Sequence, residues 1–446
     1  MSWADVADGV LGLVALGFVL VAAITLSWTL AAWAEPSRLG ATADGGTGRS
    51  LVDATAALAR SRFTLLVPAR HEEPVLMATL ARLVALDHPN FEVVVIVGDD
   101  DPRTAAVARA AAERWPDVVR VVVDDTVPKS KPAALNRGLA VARGEIVGVF
   151  DAEDDVQPDV LRHADLLLQD PDVDVVQAGT QLVTLRPRWF STRNCLEYLF
   201  WFRSRLHTHA RRGLVPLGGN TVFLRRSRLL QAGGWDAQCL AEDCELGIRL
   251  SAEGARIVVA YDPASATREE TPPTLGAFLR QRTRWNQGYL QVLRRGHWRR
   301  LPTRRQRAIA GFLLAFPFLQ GVSALLTPLL VAAALLLRVP LPLTLWCFLP
   351  LLLLAFQAVL EAVAVGELAR AFHLEAGWRD TWRVLWTTIP YLVLLDLAAL
   401  RAIWRELRGR RGWEKTSHEG AHLAPTSAAL VGEAGRLAGS TGEVPA

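Results

Sequence analysis

The chain has 446 residues, 51% hydrophobic and 21% charged, with a formal net charge of +4. Apolar and charged residues are segregated: residues 311–360 hold one charge, Arg338, whereas residues 294–307 hold seven Arg. That excludes a disordered chain, which needs low hydrophobicity with high net charge, and it excludes an ordinary soluble enzyme.

The length allows two or three domains. Cys195, Cys239, Cys244 and Cys347 are scattered, with no Cys-x-x-Cys pair. Neither a zinc site nor a disulfide framework is expected, and the thiols read as reduced, at a cytosolic face. The Arg clusters flank apolar segments, the positive-inside pattern of a membrane protein, so nucleic acid is not needed to explain the basic charge.

In chain order, Gly9–Ala34 is a run of 26 residues without a charge. As a helix it would span about 39 Å, enough for a hydrocarbon core of about 30 Å. Ala32-Trp33-Ala34 has the look of a signal-peptidase site, but no basic residue precedes the run, so residues 1–40 read as an uncleaved anchor. Asp5 and Asp8 before it and Arg38 and Arg49 after it favour an outside N-terminus. Residues 41–60, rich in Gly, Thr and Ser at their start, read as a linker.

The texture then changes. Phe63–Val67, Phe91–Val97, Val118–Val123 and Ile146–Phe150 are short apolar runs. Between them lie the helical patterns Val75–Leu86, Thr104–Trp115 and Ala133–Arg143. Such alternation predicts an α/β domain with a parallel sheet covered on both faces, able to bind a nucleotide at the carboxyl ends of its strands. Further on, Val173–Ala178, Thr221–Leu224 and Ile257–Ala260 read as strands and Ala241–Ala252 as a helix. Leu275, Phe278, Leu279, Trp285, Tyr289 and Leu293 approximate one helical face, either of an interfacial helix or of a packed domain helix. Ala308–Leu337 and Val339–Leu360 are uncharged spans joined at Arg338-Val339-Pro340, so residues 308–365 read as a transmembrane hairpin. Val384–Leu400 contains Pro390 and Asp396. A crossing there would leave the basic stretch Arg401–Lys415 outside, which favours a non-crossing or re-entrant segment. Residues 416–446 read as a disordered tail.

Six segments carry chemistry, each with a plainer structural reading beside it. Asp151, Glu153, Asp154 and Asp155 follow the strand at 146–150. They would hold a hard divalent cation, or serve as acids at a helix start. Glu242 and Asp243 precede a helix, as a general base or as caps. Gln281-Arg282-Thr283-Arg284-Trp285 offers an Arg for a diphosphate and a Trp for a sugar, or a basic helix face. Pro68, Arg70, His71, Glu72 and Glu73 follow the first strand. Asp99-Asp100-Asp101 follows the second, and Lys131 opens Lys-Pro-Ala-Ala-Leu-Asn. These are a base, ribose and phosphate site or ordinary strand-to-helix loops.

Their order along the chain is more specific than any one of them. From about residue 60 to residue 415 the plan resembles the membrane-integrated family 2 glycosyltransferases, the group of the cellulose, chitin, hyaluronan and poly-N-acetylglucosamine synthases. The ending Gly409–His418 (GRRGWEKTSH) is similar to a subset of bacterial members. The resemblance implies a GT-A domain over residues 61–300, inserted between transmembrane helices, with its catalytic face cytoplasmic. It implies transfer of a sugar, with inversion, from a UDP-sugar to a polysaccharide or lipid acceptor at the inner membrane, with Mg2+ or Mn2+ as cofactor. Residues 366–415 would be membrane-associated, and an accessory subunit or a second copy would complete a translocation path.

By the same resemblance, Pro68, Arg70, Glu72, Asp100 and Lys131 surround the nucleotide. Asp151 and Glu153 hold the metal, the latter where the family usually has Asp, which leaves open whether Glu153 or Asp154 is the second ligand. Asp243 is the base, Gln281 and Arg284 meet the donor, and Gly219, Asn220, Glu242 and Trp285 line the acceptor side. A transporter would want ionisable residues inside its spans, and only Asp396 qualifies. A nucleotidyltransferase would want a Gly-rich phosphate loop, which Val67-Pro68-Ala69-Arg70 does not supply.

Overall fold

The computed structural model describes residues 3–34, 60–410, 412, 414, 420, 422 and 423. All but residue 60 of the expected linker falls outside them, as do Arg38, Arg49 and most of the expected tail. In chain order the elements are α1 (Trp3–Ala34), β1 (Phe63–Ala69), α2 (Leu76–Val84), β2 (Phe91–Gly98), α3 (Pro102–Arg114), β3 (Val119–Asp124), α4 (Lys131–Val141) and β4 (Ile146–Val149). Then come α5 (Val160–Leu168), β5 (Val173–Ala178), β6 (Thr180–Leu182), α6 (Ser191–Phe200), a π-helical stretch at Trp201–Arg205, α7 (Leu206–Ala210), β7 (Val222–Arg225) and α8 (Arg226–Gln231). The rest are α9 (Glu242–Ala252), β8 (Arg256–Ala260), β9 (Thr267–Glu269), α10 (Leu275–Arg295), α11 (Arg304–Leu336), α12 (Leu341–Ala371), α13 (Trp378–Trp386) and α14 (Thr388–Leu407). They form two units, each described by itself: an α/β unit (37–184, 215–273 and from 417) and a helical unit (1–36, 185–214, 274–416).

In the α/β unit, Val93, Val94, Val95 and Val97 of β2 are fully buried, the burial on both faces that a continuous Val/Ile run encodes. Asp101 caps α3 by accepting from Thr104 N, with Pro102 at the first helical position. Ser130 caps α4 with Pro132 in its first turn, and such a cap is worth about 1 kcal/mol. The sheet order is β3-β2-β1-β4-β7-β5-β8. It is mixed rather than wholly parallel, because β7 runs antiparallel to both β4 and β5. A short strand buried on both faces shows the same apolar run in either direction, so the pattern could not give its sense. A second sheet of β6 and β9 has three residues per strand, mostly polar, and left no periodic signal. Strand order reverses between β1 and β4, and ligands of open α/β sheets bind outside the carboxyl ends of strands at such a point.

In the helical unit, α1, α11 and α12 are each long and apolar enough to cross a membrane. Ala15 and Phe18 of α1 bury against Leu330, Ala334 and Cys347 of α11 and α12. Leu13, Leu336 and Leu352 point outward, more than 60% exposed. Helix α1 runs unbroken through Ala32-Trp33-Ala34. Segments α13 and α14 meet at Thr387 with a bend of 54°. The buried face of α10 includes Phe278 of the expected apolar face, packed with Phe190, Tyr391 and Leu394, but also takes in polar residues. Leu275 is exposed, while Thr283, Asn286, Gln287 and Gln291 are buried. Gln287 donates to Glu406 Oε2 (3.0 Å) and accepts from Arg405 Nε (3.0 Å), so a polar seam joins α10 to α14. Helices α6 and α7 lie in a stretch to which the sequence pattern assigns no element.

Candidate active site

The first two strands end in loops laced to each other. Pro68 lies past the end of the β4 ladder, which stops at Leu66, so its missing N–H leaves no ladder bond unmade on that side. Arg70 Nη2 donates to Asp100 Oδ2 (2.6 Å), and both side chains are half-exposed. His71 takes φ of +54°, and its N–H donates to Asp101 Oδ2 (2.5 Å). Glu72 is buried, and its N–H donates to Thr104 Oγ1 (3.1 Å). Burial pushes the Asp101 carboxyl up, but its hydrogen bonds from Thr104 and His71 prevail and hold it below the usual carboxylate range. Lys129 bonds Asp99 at 2.6 Å and lowers that acid.

The turn after β4 is the chemical centre. Lys131, on the first turn of α4, bonds Asp151, and its Nζ also donates to Gly219 O (2.8 Å). Burial pushes Lys131 down, but the Asp151 and Glu242 carboxylates, with Asp243, prevail, so its ammonium is held charged. A β-carbon on Gly219 would lie 3.0 Å from Asp243 Oδ2 and 3.5 Å from Lys131 Nζ. Gly219 is therefore the space through which this lysine and this carboxylate approach. Asp243 is half-buried on the first turn of α9, whose N-cap, Ala241, makes no side-chain bond. A small pocket is lined by Gly218, Gly219, Glu242, Asp243 and Trp235.

Behind this group lies a second set of acids. Asp154 is fully buried. Its Oδ2 accepts from Asp151 N (2.7 Å) and its Oδ1 from Asn220 Nδ2 (2.8 Å). The same Asn220 amide also donates to Glu269. Burial, with the charges of Glu269, Asp151 and Glu153, pushes Asp154 well above its ordinary value. Burial and Asp151 do the same to Glu269. Asn220, expected to line the acceptor side, commits its amide to these acids. Asp154 is committed inward as well. The capping reading of the acids at 151–155 fails, because the next helix, α5, starts only at Val160.

The residues fit a hard cation of the kind that takes one or two carboxylates and draws its other ligands from phosphate oxygens. Among the described residues no three His, Cys, Asp or Glu side chains converge as a closed metal cage.

Four residues around this site went unread in the sequence. Glu269 was hidden in a three-residue strand. Gln177 accepts from Gly218 N (2.7 Å) and donates to Asn220 O (3.0 Å), clasping the Gly-Gly-Asn turn. A polar residue inside the apolar run 173–178 was the available signal. Thr221 takes φ of +47°, strained for a β-branched residue and of order 1–3 kcal/mol in cost. Bonds from its N–H to Val149 O (2.8 Å) and from its hydroxyl to Thr267 (2.7 Å) hold it there. The fourth is His422.

Gln281, Arg284 and Trp285 stand on α10 of the helical unit. The Trp285 and Tyr198 ring centroids are 6.3 Å apart. Arg282, which sequence reasoning passed over, has its guanidinium 4.7 Å from the Trp285 ring, bonds Glu197, and donates to Asn194 (2.5 Å).

A family model described as "Glycosyltransferase like family 2" matches residues 60–288. The chain is 29% identical over 232 residues to a beta-monoglucosyldiacylglycerol synthase of Trichormus variabilis, covering 51% of this chain and 49% of that one. It is 27% identical over 258 residues to a probable glucomannan 4-beta-mannosyltransferase of Oryza sativa, covering 55% and 48%. The chain spans about half the length of the curated relatives it matches. Among solved structures, a mannosyltransferase of Pyrobaculum calidifontis, in complex with GDP-Man and Mn2+, aligns over 89% of this chain and 99% of that one. The TM-score is 0.58 at 22% identity. That likeness shows the GT-A fold. The family model spans just over half of the sequence, and the chain belongs to glycosyltransferase family 2.

Proposed function

We propose that the protein moves a sugar from a UDP-sugar, with inversion, to an acceptor hydroxyl held at a membrane, with a β-linked polysaccharide as product. The observation that carries this is the grouping of Lys131, Asp151, Glu242 and Asp243 around Gly219 at the sheet's switch point. Inversion is a single displacement. The acceptor oxygen bonds to the anomeric carbon as the bond to the diphosphate oxygen breaks, and the electron pair leaves with the diphosphate. The hydroxyl proton goes to a carboxylate, here Asp243. Lys131, kept charged by its neighbours, offsets negative charge that grows on the leaving group. Asp151 and Glu153 are the residues that would hold Mg2+ or Mn2+, and the bound ion would add positive charge beside the diphosphate. Arg70, Glu72, Asp100 and Pro68 form the rim proposed for the base and ribose.

A second reading, transfer of one or a few sugars to a lipid, is favoured by the similarity to the monoglucosyldiacylglycerol synthase and by the three spanning-length helices among the described residues, or four if α13 and α14 make one bent span, few for a pore in one chain. For the membrane, we place α11 and α12 as a hairpin. Arg294 bonds Glu406 at 2.5 Å, which brings the basic stretch after α14 to the end where the Arg run 294–307 enters α11. Both basic stretches then share one face if α13 and α14 re-enter rather than cross. Trp378, Trp382 and Trp386, 56–74% exposed at every fourth position of α13, suit the headgroup layer.

The test uses purified full-length protein in lipid, labelled UDP- and GDP-sugars, and Mg2+ or Mn2+. Product is then split into lipid-extractable and polymeric fractions. Transfer from a UDP-sugar into polymer is the expected outcome. Lipid-extractable product alone selects the second reading, and no transfer by folded protein from any donor sinks both.

A further inference from the structure

The expectation of a disordered tail from residue 416 fails at three positions. Gly420, His422 and Leu423 belong to the α/β unit, and their side chains or backbone are buried in it. The His422 side chain is 1% exposed. A carbonyl only accepts, so His422 Nε2–H donates to Glu153 O, at 2.8 Å. Gly420 N donates to Glu270 Oε1 (3.1 Å), whose other oxygen lies 3.9 Å from His422 Nδ1. Leu423 O accepts from Arg82 Nη2 (3.3 Å), and Arg82 Nε donates to Asp155 Oδ1 (2.8 Å). The backbone passes close: Gly420 has φ of +68°, and a β-carbon there would lie 2.7 Å from Val75 Cγ1.

Three residues from the far end of the chain thus reach the Asp151–Asp155 turn at two points: Glu153 directly, and Asp155 through Arg82. The turn has neither helix nor full strand to hold it. Among its other ties are the paired backbone bonds between Asp155 and Arg268 (3.0 Å each), the Asp154 contact to Asp151 N, the Asn220 amide on Asp154 and the Lys131 ammonium on Asp151. A loop ordered before its ligand arrives binds more tightly than one ordered on binding.

We infer that His422 and Leu423 are positioning residues that hold the Asp151–Asp155 turn ready for the diphosphate of the donor and its cation. This rests on the proposed donor role of that turn, so the experiment reads the turn and the reaction separately. Full-length His422→Ala, His422→Gln and Leu423→Ala are compared with wild type by hydrogen–deuterium exchange without nucleotide or metal, and then by transfer kinetics. In both alanine variants, exchange over residues 150–156 should quicken about 10-fold while β2 stays protected. The donor KM should rise roughly 5-fold, with kcat kept within about 2-fold. His422→Gln, which can still present an N–H near the Nε2 position, should restore most of both. Unchanged exchange and KM in both alanine variants would overturn the inference. So would faster exchange spread across the whole sheet, which would make the segment ordinary core. If wild type transfers no sugar, the proposed reaction fails, while exchange confined to the turn still supports the clamp.

Discussion

Two groups of carboxylates sit side by side at the end of β4, and the sequence writes them in the same letters. Asp151, Glu242 and Asp243 share a lysine, and Glu242 and Asp243 line a small pocket. Asp154 and Glu269 share an amide, that of Asn220, and Asp154 is fully buried. In the first group a cation is within reach, the Lys131 ammonium. The second is pushed toward its neutral form because burial penalises a charge and the neighbours carry the same sign. Residue type alone does not give a carboxylate its role; the partner and the depth do.

The sharpest way to break the comparison is to remove a charge from the open group. Asp243→Asn keeps the shape and loses the base. Transfer should fall by about 10³-fold or more, with nucleotide affinity within a few-fold of wild type. Wild-type-like transfer by that variant would remove Asp243 from the mechanism. Next in size is Lys131→Met, which leaves Asp151, Glu242 and Asp243 facing one another without their shared ammonium. A loss of roughly 10²-fold in kcat/KM is expected, with a weaker hold on nucleoside diphosphate by calorimetry. Full activity would mean that the cation of the donor site comes from elsewhere.

Much of this was legible in advance. β1 to β4 are continuous Val/Ile/Leu runs, and such runs are hard to mistake for anything but buried strands. Lys131, Asp151 and Asp243 stand where strands end or helices begin, the places where an α/β sheet keeps its chemistry. The second group was not legible, because its members act through each other rather than through a local pattern. Glu269 lies 115 residues after Asp154 in a strand of three residues, and Asn220 read only as lining the acceptor side. His422 was lost for the same reason: its partner, the Glu153 carbonyl, is backbone and leaves no trace in composition. On α10 the apolar pattern found Phe278, which packs with Phe190, Tyr391 and Leu394, but not the buried contacts of Gln287 and Gln291 to Glu406. Sequence reading ranks polar residues as exposed, so a polar seam defeats it.

The smallest predicted effect tests whether the two groups really differ. Glu269 has its carboxyl raised well above 4.5 in the folded protein, whereas in the unfolded chain it titrates near its ordinary value. The folded state therefore binds more protons than the unfolded state between those two values. The favourable contribution is complete below the unfolded pKa and is lost as pH rises through the folded one. Glu269→Gln cannot ionise and can still accept from Asn220, so it escapes that loss. Melting of full-length protein in detergent should show little difference at pH 5. By pH 8 the variant should be the more stable of the two. The gain is partial because Asp154, raised for the same reasons, still titrates. Equal stabilities at both pH values, or a loss in the variant at pH 8, would mean that Glu269 is ionised and paired in the native state. The two acid groups would then be one electrostatic site served by Lys131, and the contrast between them would collapse.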